Sequence, residues 1–245
     1  MGALPWLIGG GAAAFAAYVW TRRNREASAG APGHNPDDTT PLPGRWVWPV
    51  GVWRGRKPQI SDGFTSSRHT PTGNVIRHGG VDIMYLRLAG DRCPAGTPNG
   101  SRGYVMPDHR AALAASDGVV SFAASTPRGW TVIIDHAPHK LATYYTHFSQ
   151  LLVVPKQQVH AGQPIGIIGA DPLDAAHLMH LHLELWRGGA KDRFDPAPLM
   201  RGWDYLPDPG DLPAALVARN ARKTSSRGLR VDVHEHTRRY PHHRY

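Results

Sequence analysis

The residues best suited to chemistry are two histidines one position apart, in His180-Leu181-His182-Leu183-Glu184. A strand turns successive side chains to opposite faces, so in a strand both imidazoles and Glu184 share one face. Leu181, Leu183 and Leu185 then share the other, which gives one face for a core and one for a reaction. About a hundred residues upstream lies His78-Gly79-Gly80-Val81-Asp82, a histidine and a carboxylate four apart. Two imidazoles and one carboxylate make a common catalytic zinc set, with a fourth position open for water. Either pair alone is weak evidence in a chain of 15 histidines, most of them ordinary surface or structural residues. The order of the segments between the pairs carries more.

His78-Gly79-Gly80-Val81-Asp82-Ile83 resembles the H-x-G-x-D segment of the lysostaphin/LytM-type zinc metallopeptidase family, the peptidoglycan endopeptidases. Ala115-Ser116-Asp117-Gly118-Val119-Val120 is similar to that family's hairpin after the metal strand. Tyr145-Thr146-His147 resembles its Y-x-H motif, and Ala161-Gly162-Gln163-Pro164-Ile165-Gly166 its G-Q-x-I-G turn. His180 to Glu184 closes the set in the family's order, and the similarity runs from about Trp48 to Leu199. The stretch Ile60 to Phe64, followed by Arg68, resembles the family's approach to the metal motif. Five ordered motifs are far more specific than any one of them.

The resemblance implies a site. His78, Asp82 and His182 match the family's zinc ligands, with Zn2+ as the cofactor. His147 and His180 match its two further histidines, which act beside the water and the oxyanion as catalytic residues. Which of the two is the general base stays open. Two neutral imidazoles and one carboxylate leave the metal centre positive, which acidifies a bound water and polarises the scissile carbonyl. Glu184 either orients an imidazole from behind or is a plain surface carboxylate. Tyr145 either lines the groove or packs in the core. The substrate so implied is a peptide bond of peptidoglycan stem peptides or cross-links. Some members of this family have lost ligands and activate other wall enzymes, so a non-catalytic wall-binding or hydrolase-activating member of the same fold is an alternative, although here all five histidine and aspartate positions are filled. A virion-associated lysin that aids phage entry or exit is a further alternative.

The elements that must position these residues read as β. Gly118–Phe122, Trp130–Asp135 and Leu141–His147 are short runs rich in Val, Ile, Thr and aromatics, broken by Gly and Pro, and Pro164–Ile168 follows a turn. Trp46 and Trp48 alternate, so they share one face of a strand and pack into a core. The fold expected is mainly β, an antiparallel β-sheet metallopeptidase domain with a groove. An N-terminal transmembrane helix precedes it and a basic tail follows. The divisions are 1–25, an apolar anchor or signal with a basic stop; 26–45, a flexible linker; 46–205, the peptidase domain; and 206–245, a short helix at Leu212–Arg222 and a basic His-rich tail. Residues 87–110 and Asp171–Leu178 are candidate groove loops. Cys93 is the only cysteine, so no disulfide forms within this sequence.

The formal net charge is +9, yet residues 59–218 hold 13 basic and 14 acidic side chains, so the excess lies in the flanks. Basic flanks suit anionic lipid, anionic wall polymer or nucleic acid, or simply keep tails soluble. No base-reading or stacking motif accompanies them, which argues against a nucleic-acid-binding protein. Residues 4–20 are uncharged, near the lower length for a spanning helix, with Trp6, Tyr18 and Trp20 near the ends. Residues 2–5 lack Lys and Arg, which favours a membrane anchor over a cleaved signal peptide. The expected location is membrane-anchored and facing the wall, in the periplasm or at the cell surface. Arg22, Arg23 and Arg25 conflict with this, because the positive-inside rule holds that end in the cytoplasm. A phage virion, with its own membrane, would remove the conflict.

Overall fold

In the computed structural model, the structure describes residues 42, 44–69, 74–91, 103–174, 177–187 and 192–210. The β-branched and aromatic runs form strands, as their pattern requires. These are β1 (Pro58–Asp62), β2 (Ser67–His69), β3 (Val75–Arg77), β4 (Val81–Leu86), β5 (Tyr104–Val105), β6 (Ala111–Leu113), β7 (Gly118–Thr126), β8 (Gly129–His136), β9 (Leu141–Leu151), β10 (Gln158–Val159), β11 (Pro164–Ile168), β12 (Leu181–Trp186) and β13 (Arg193–Phe194). A four-residue helix, α1 (Ala197–Met200), ends the set. Eleven strands make one antiparallel sheet whose main path runs β1-β4-β12-β9-β8-β7-β10. Strand β11 pairs with β6 and β9, while β2 and β3 form a separate hairpin. The mainly β, antiparallel expectation holds.

One face of the sheet carries the core. Leu181, Leu183 and Leu185 of β12 are fully buried there, with Ile83 of β4 and Ile134 of β8. Tyr145 belongs to this side: it is fully buried and its hydroxyl accepts the Ala115 N–H at 2.9 Å, so it does not line a groove. Trp46 and Trp48 are core residues as expected, but they sit outside the regular ladder. Trp46 stacks on Trp203 with ring centroids 5.2 Å apart, and Trp48 on Tyr205 at 4.9 Å. Val47 between them makes an isolated parallel bridge to Asp204 and donates its N–H to Ala115 O at 2.8 Å. Aromatic stacking and isolated backbone bridges to the chain's later segments, rather than a continuous ladder, fix this stretch.

Strand β9 is longer than its apolar pattern suggested, extending past His147 to Leu151 because β11 adds pairing there. The opposite face of β12 and β9 carries Glu184, Tyr144 and Thr146, with a smaller apolar cluster of Phe122, Ile133, Ala142, Tyr144 and Trp186 beside them. The expected segment 4–20, most of the linker, Cys93, helix Leu212–Arg222 and the basic tail lie outside the described residues. Among the described residues no helix is long and apolar enough to cross a membrane.

Candidate metal centre

Strand register builds the site. Asp82 on β4 lies across from His182 on β12, and on its other side from Asp62 on β1. His182 in turn lies across from Thr146 on β9. One row of the sheet therefore brings together residues from four strands. His78 reaches this row from the loop before β4, anchored by backbone bonds His78 N to Ser66 O and Thr65 N to His78 O, both 2.9 Å. The glycines after it are needed for that approach. A Cβ on Gly80 would lie 2.2 Å from the Leu183 carbonyl oxygen, and one on Gly79 would lie 2.2 Å from an Arg193 guanidinium nitrogen.

Three ligand-type atoms meet. His78 Nε2 and His182 Nδ1 are 2.9 Å apart, His182 Nδ1 and Asp82 Oδ1 2.9 Å, and His78 Nε2 and Asp82 Oδ1 3.1 Å. Among the described residues this is the one group of three such side chains close enough to hold a metal ion. The outer hydrogen bonds decide which atoms carry lone pairs. His78 Nδ1 lies 2.8 Å from the Gly63 carbonyl, so that nitrogen donates and Nε2 is bare. His182 Nε2 lies 3.0 Å from Glu184 Oε1, so that nitrogen donates and Nδ1 is bare. Three acceptors thus converge, and only a cation or a shared proton can sit among them. Tetrahedral zinc with bonds of about 2.0–2.1 Å spaces its ligands roughly 3.3 Å apart, near the separations here. The residues fit the metal.

Charges around the cluster agree. Burial works against a charged Asp82, but the imidazoles around it, His180 first and then His182 and His78, hold its carboxyl well below the usual range. Arg68, from β2, forms ion pairs with Asp82 Oδ2 and with Asp62, the latter at 2.7 Å. That leaves Asp82 Oδ1 for the centre. Burial likewise opposes a charge on His182, yet its bonds to Asp82 and Glu184 raise its pKa overall. A proton on Nδ1 is therefore the metal's competitor. Glu184 is buried, with Oε1 taking His182 and an Arg193 N–H at 3.2 Å and Oε2 accepting the Trp186 indole N–H at 2.6 Å. Burial raises the Glu184 pKa, but His182 and Arg193 outweigh it and the carboxyl stays below its ordinary value. It orients the imidazole and is no surface carboxylate.

His147 and His180 stand beside this cluster, their ring centroids 4.6 Å apart and that of His147 5.8 Å from His182. Strand alternation from Tyr145 would send His147 into the core, but its left-handed φ of 69° lets the ring join the site. Such a backbone costs of order 1–3 kcal/mol at a non-glycine residue and collects at functional sites. The His147 Nδ1–H donates to the Arg128 carbonyl at 2.9 Å, and the His180 Nδ1–H to Leu178 O at 2.9 Å. Both Nε2 atoms are therefore bare acceptors, and both are buried without a hydrogen-bond partner among the described residues. Burial, then the nearby His180 and His182, push the His147 pKa well below normal, so its ring is neutral.

All five residues expected from the sequence lie in this one site. Sequence reading missed Asp171, Arg193, Trp186 and Tyr144, because each is brought in by pairing or a loop rather than by a motif. The candidate loop at Asp171–Leu178 was the one signal toward Asp171.

Residues 100–196 match Peptidase family M23. This stretch of the chain is thus similar to an M23 peptidase domain, and the resemblance to the lysostaphin/LytM-type family is borne out. The matched stretch contains His147, His180 and His182; His78 and Asp82 lie before it and join it through the pairing of β4 with β12. Among solved structures, a zinc-containing peptidase from Vibrio cholerae is 25% identical, covering 67% of this chain and 41% of that one, with a TM-score of 0.45. The catalytic domain of lysostaphin from Staphylococcus simulans is 20% identical over 60% of this chain and 93% of that one, TM-score 0.44. Csd3 from Helicobacter pylori is 20% identical over 76% of this chain and 42% of that one, TM-score 0.41. The chain therefore spans less than half the length of the Vibrio and Helicobacter proteins. No curated protein gives a match.

Proposed function

We propose that this protein is a zinc-dependent endopeptidase that hydrolyses peptide bonds in peptidoglycan stem peptides or cross-links. The observation that carries the reading is the pair of buried, partnerless Nε2 lone pairs of His147 and His180 beside three converging ligand atoms. A purely structural histidine cluster has no reason to leave two acceptors unsatisfied, since each costs about 1–3 kcal/mol. A site that receives a water and an amide has one. His78, Asp82 and His182 would hold the metal, which when bound supplies Lewis acidity toward the carbonyl and a more acidic water.

The chain's own groups do the rest. Glu184 and the Gly63 carbonyl fix the ring tautomers of His182 and His78. Arg68 holds the second oxygen of Asp82. The neutral Nε2 of His147 or His180 accepts the proton of the attacking water, and the imidazolium so formed donates to the departing amine nitrogen. The other ring would donate to the oxyanion only after taking up a proton from solvent at its Nε2. The wall substrate is what the resemblance of the ordered motif set implies. Residues 4–20 are proposed to tether the enzyme to a membrane, a reading that rests on sequence alone.

The test is digestion of purified peptidoglycan of several chemotypes by the zinc-loaded protein, with mass analysis of the fragments. New amine and carboxyl termini in the stem or bridge peptides are expected. Intact peptides throughout, from a protein that holds one zinc ion, would refute the reading.

A further inference from the structure

We propose that Asp171 is a positioning residue that makes His147, rather than His180, the group that takes the proton of the attacking water. The inference rests on the peptidase reading above. It adds a residue to that reaction and gives the two histidines different parts.

Asp171 follows β11 in a segment held on both sides by the site itself. The Gly169 N–H donates to His147 O at 2.6 Å, the His180 N–H donates to Gly169 O at 3.3 Å, and Ala170 bridges to Met179. The residue is buried, 6% exposed, and its two carboxylate oxygens have different fates. Oδ1 accepts the Leu173 backbone N–H at 2.8 Å and closes a local turn. Oδ2 lies 3.6 Å from His147 Nε2, beyond hydrogen-bond length. No lysine or arginine of the described residues pairs with Asp171, so its charge is left for the His147 ring.

That arrangement suits a ring whose charge changes during the reaction. At rest His147 Nε2 is a bare acceptor, since its Nδ1–H is committed to Arg128 O. When the water attacks, a C–O bond forms, an O–H bond breaks and the proton passes to Nε2. The ring is then a buried cation, which is costly unless an anion stands near. Asp171 is that anion, and its attraction acts through space, so Nε2 needs no second lone pair for it. When the C–N bond breaks, the proton leaves for the amine nitrogen and the ring is neutral again. Asp171 itself takes up no proton.

His180 lacks equal support. Its Nε2 also has a carboxylate oxygen at 3.6 Å, Asp82 Oδ2. That oxygen is already paired with Arg68, and the other oxygen of the same group faces His78 and His182. Little of the Asp82 charge remains for a further cation. The proton is therefore better held on His147 during the attack, and His180 is left for the oxyanion.

The experiment measures kcat, KM and zinc content of the zinc-loaded full chain on a soluble wall stem peptide, beside its affinity for two uncleavable analogues. One analogue carries a phosphinate in place of the scissile amide, an anionic tetrahedral group that favours a protonated base. The other carries two methylenes there and makes no such demand. Asp171→Asn keeps an oxygen for the Leu173 N–H and removes the charge, whereas Asp171→Glu keeps the charge and gives up the turn. Asp171→Asn should lower kcat about tenfold or more and weaken phosphinate binding to a similar degree, the scale of an interaction with a charged group. KM, zinc content and binding of the methylene analogue should stay within about twofold, on the scale below a neutral hydrogen bond. Asp171→Glu should recover part of both losses. Asp171→Asn should cost nothing further in a His147→Ala protein and keep its full factor in a His180→Ala protein. An Asp171→Asn protein as fast as wild type, an Asp171→Glu protein no faster than Asp171→Asn, or a factor that survives in His147→Ala overturns the proposal; a carboxylate that only closes the turn gives the first two results. A wild type that cuts no peptide, yet loses phosphinate affinity in Asp171→Asn, upholds the charge pairing and ends the peptidase reading. One that cuts, with Asp171→Asn unchanged, does the reverse.

Discussion

Removing the carboxylate behind His182 tests how the centre is held. Glu184 accepts three N–H groups, from His182 at 3.0 Å, Arg193 at 3.2 Å and Trp186 at 2.6 Å, at a buried position. Glu184→Gln keeps one oxygen for His182 but turns an NH2 toward the Trp186 indole N–H, donor against donor. One buried donor left unmatched costs about 1–3 kcal/mol, so unfolding in urea should show a loss of that size. Zinc affinity should fall modestly, because the His182 ring still has its acceptor. Glu184→Ala removes all three acceptors and frees the ring to rotate or change tautomer. Loss of a carboxylate behind a ligating imidazole typically weakens metal binding by about 10–100-fold, and that loss is expected here. The assay is zinc competition against a chelator of known affinity, run beside urea unfolding of the same samples. A Glu184→Ala protein that binds zinc within about twofold of wild type would refute the orienting role, even if its stability fell; the quoted 10–100-fold range excludes it.

Other perturbations separate roles within the site. His182→Ala and Asp82→Ala should lose tight zinc and activity, whereas His147→Ala and His180→Ala should keep zinc while turnover drops about a hundredfold or more, read by metal analysis beside initial rates. Gly80→Ala should destabilise the fold by at least about 2 kcal/mol and disturb the ligand loop, because its Cβ would meet backbone, the Leu183 carbonyl, which cannot yield; urea unfolding and zinc content measure this. His136 supplies a pH signature away from the metal. Burial lowers its pKa from 6.5 to about 4, against the opposing bond to the Asp117 carbonyl. The unfolded chain then binds the proton more readily, so this stability is full above pH 6.5 and is lost as pH falls from 6.5 toward 4. The loss is about 2 kcal/mol by pH 5 and about 3 kcal/mol below pH 4, and His136→Asn should flatten that part of the unfolding profile.

Much of the site was legible in the chain because its signals are local. The alternation His180, His182, Glu184 against Leu181, Leu183, Leu185 survives folding, since a strand fixes which side chains share a face wherever it pairs. Pro164–Ile168 became a strand with those bounds, and the three longer β runs were found but clipped at their ends. Strand ends depend on partners: β9 runs on past His147 only because β11 pairs with it. For the same reason the spacing of Trp46 and Trp48 places them in the core but does not show that they stack on Trp203 and Tyr205 and pair only through isolated bridges.

Tertiary structure alone decided the rest, and each case is one of long-range geometry. The residues of the centre were readable from motif order, but their convergence is set by the register of β4 against β12, a hundred residues apart. The tautomers follow from carbonyls and a carboxylate that no sequence spacing identifies, at Gly63, Arg128, Leu178 and Glu184. Glu184 and Tyr145 each had two readings until burial chose, the first facing the metal cluster and the second the core. His147 joins the site only through a left-handed backbone angle that its residue type disfavours. Asp171 carried no motif at all; a loop pinned between His147 and His180 brings it there. Side-chain type and strand period are properties of the chain, whereas lone-pair direction and strain arise only when distant segments close around a common point.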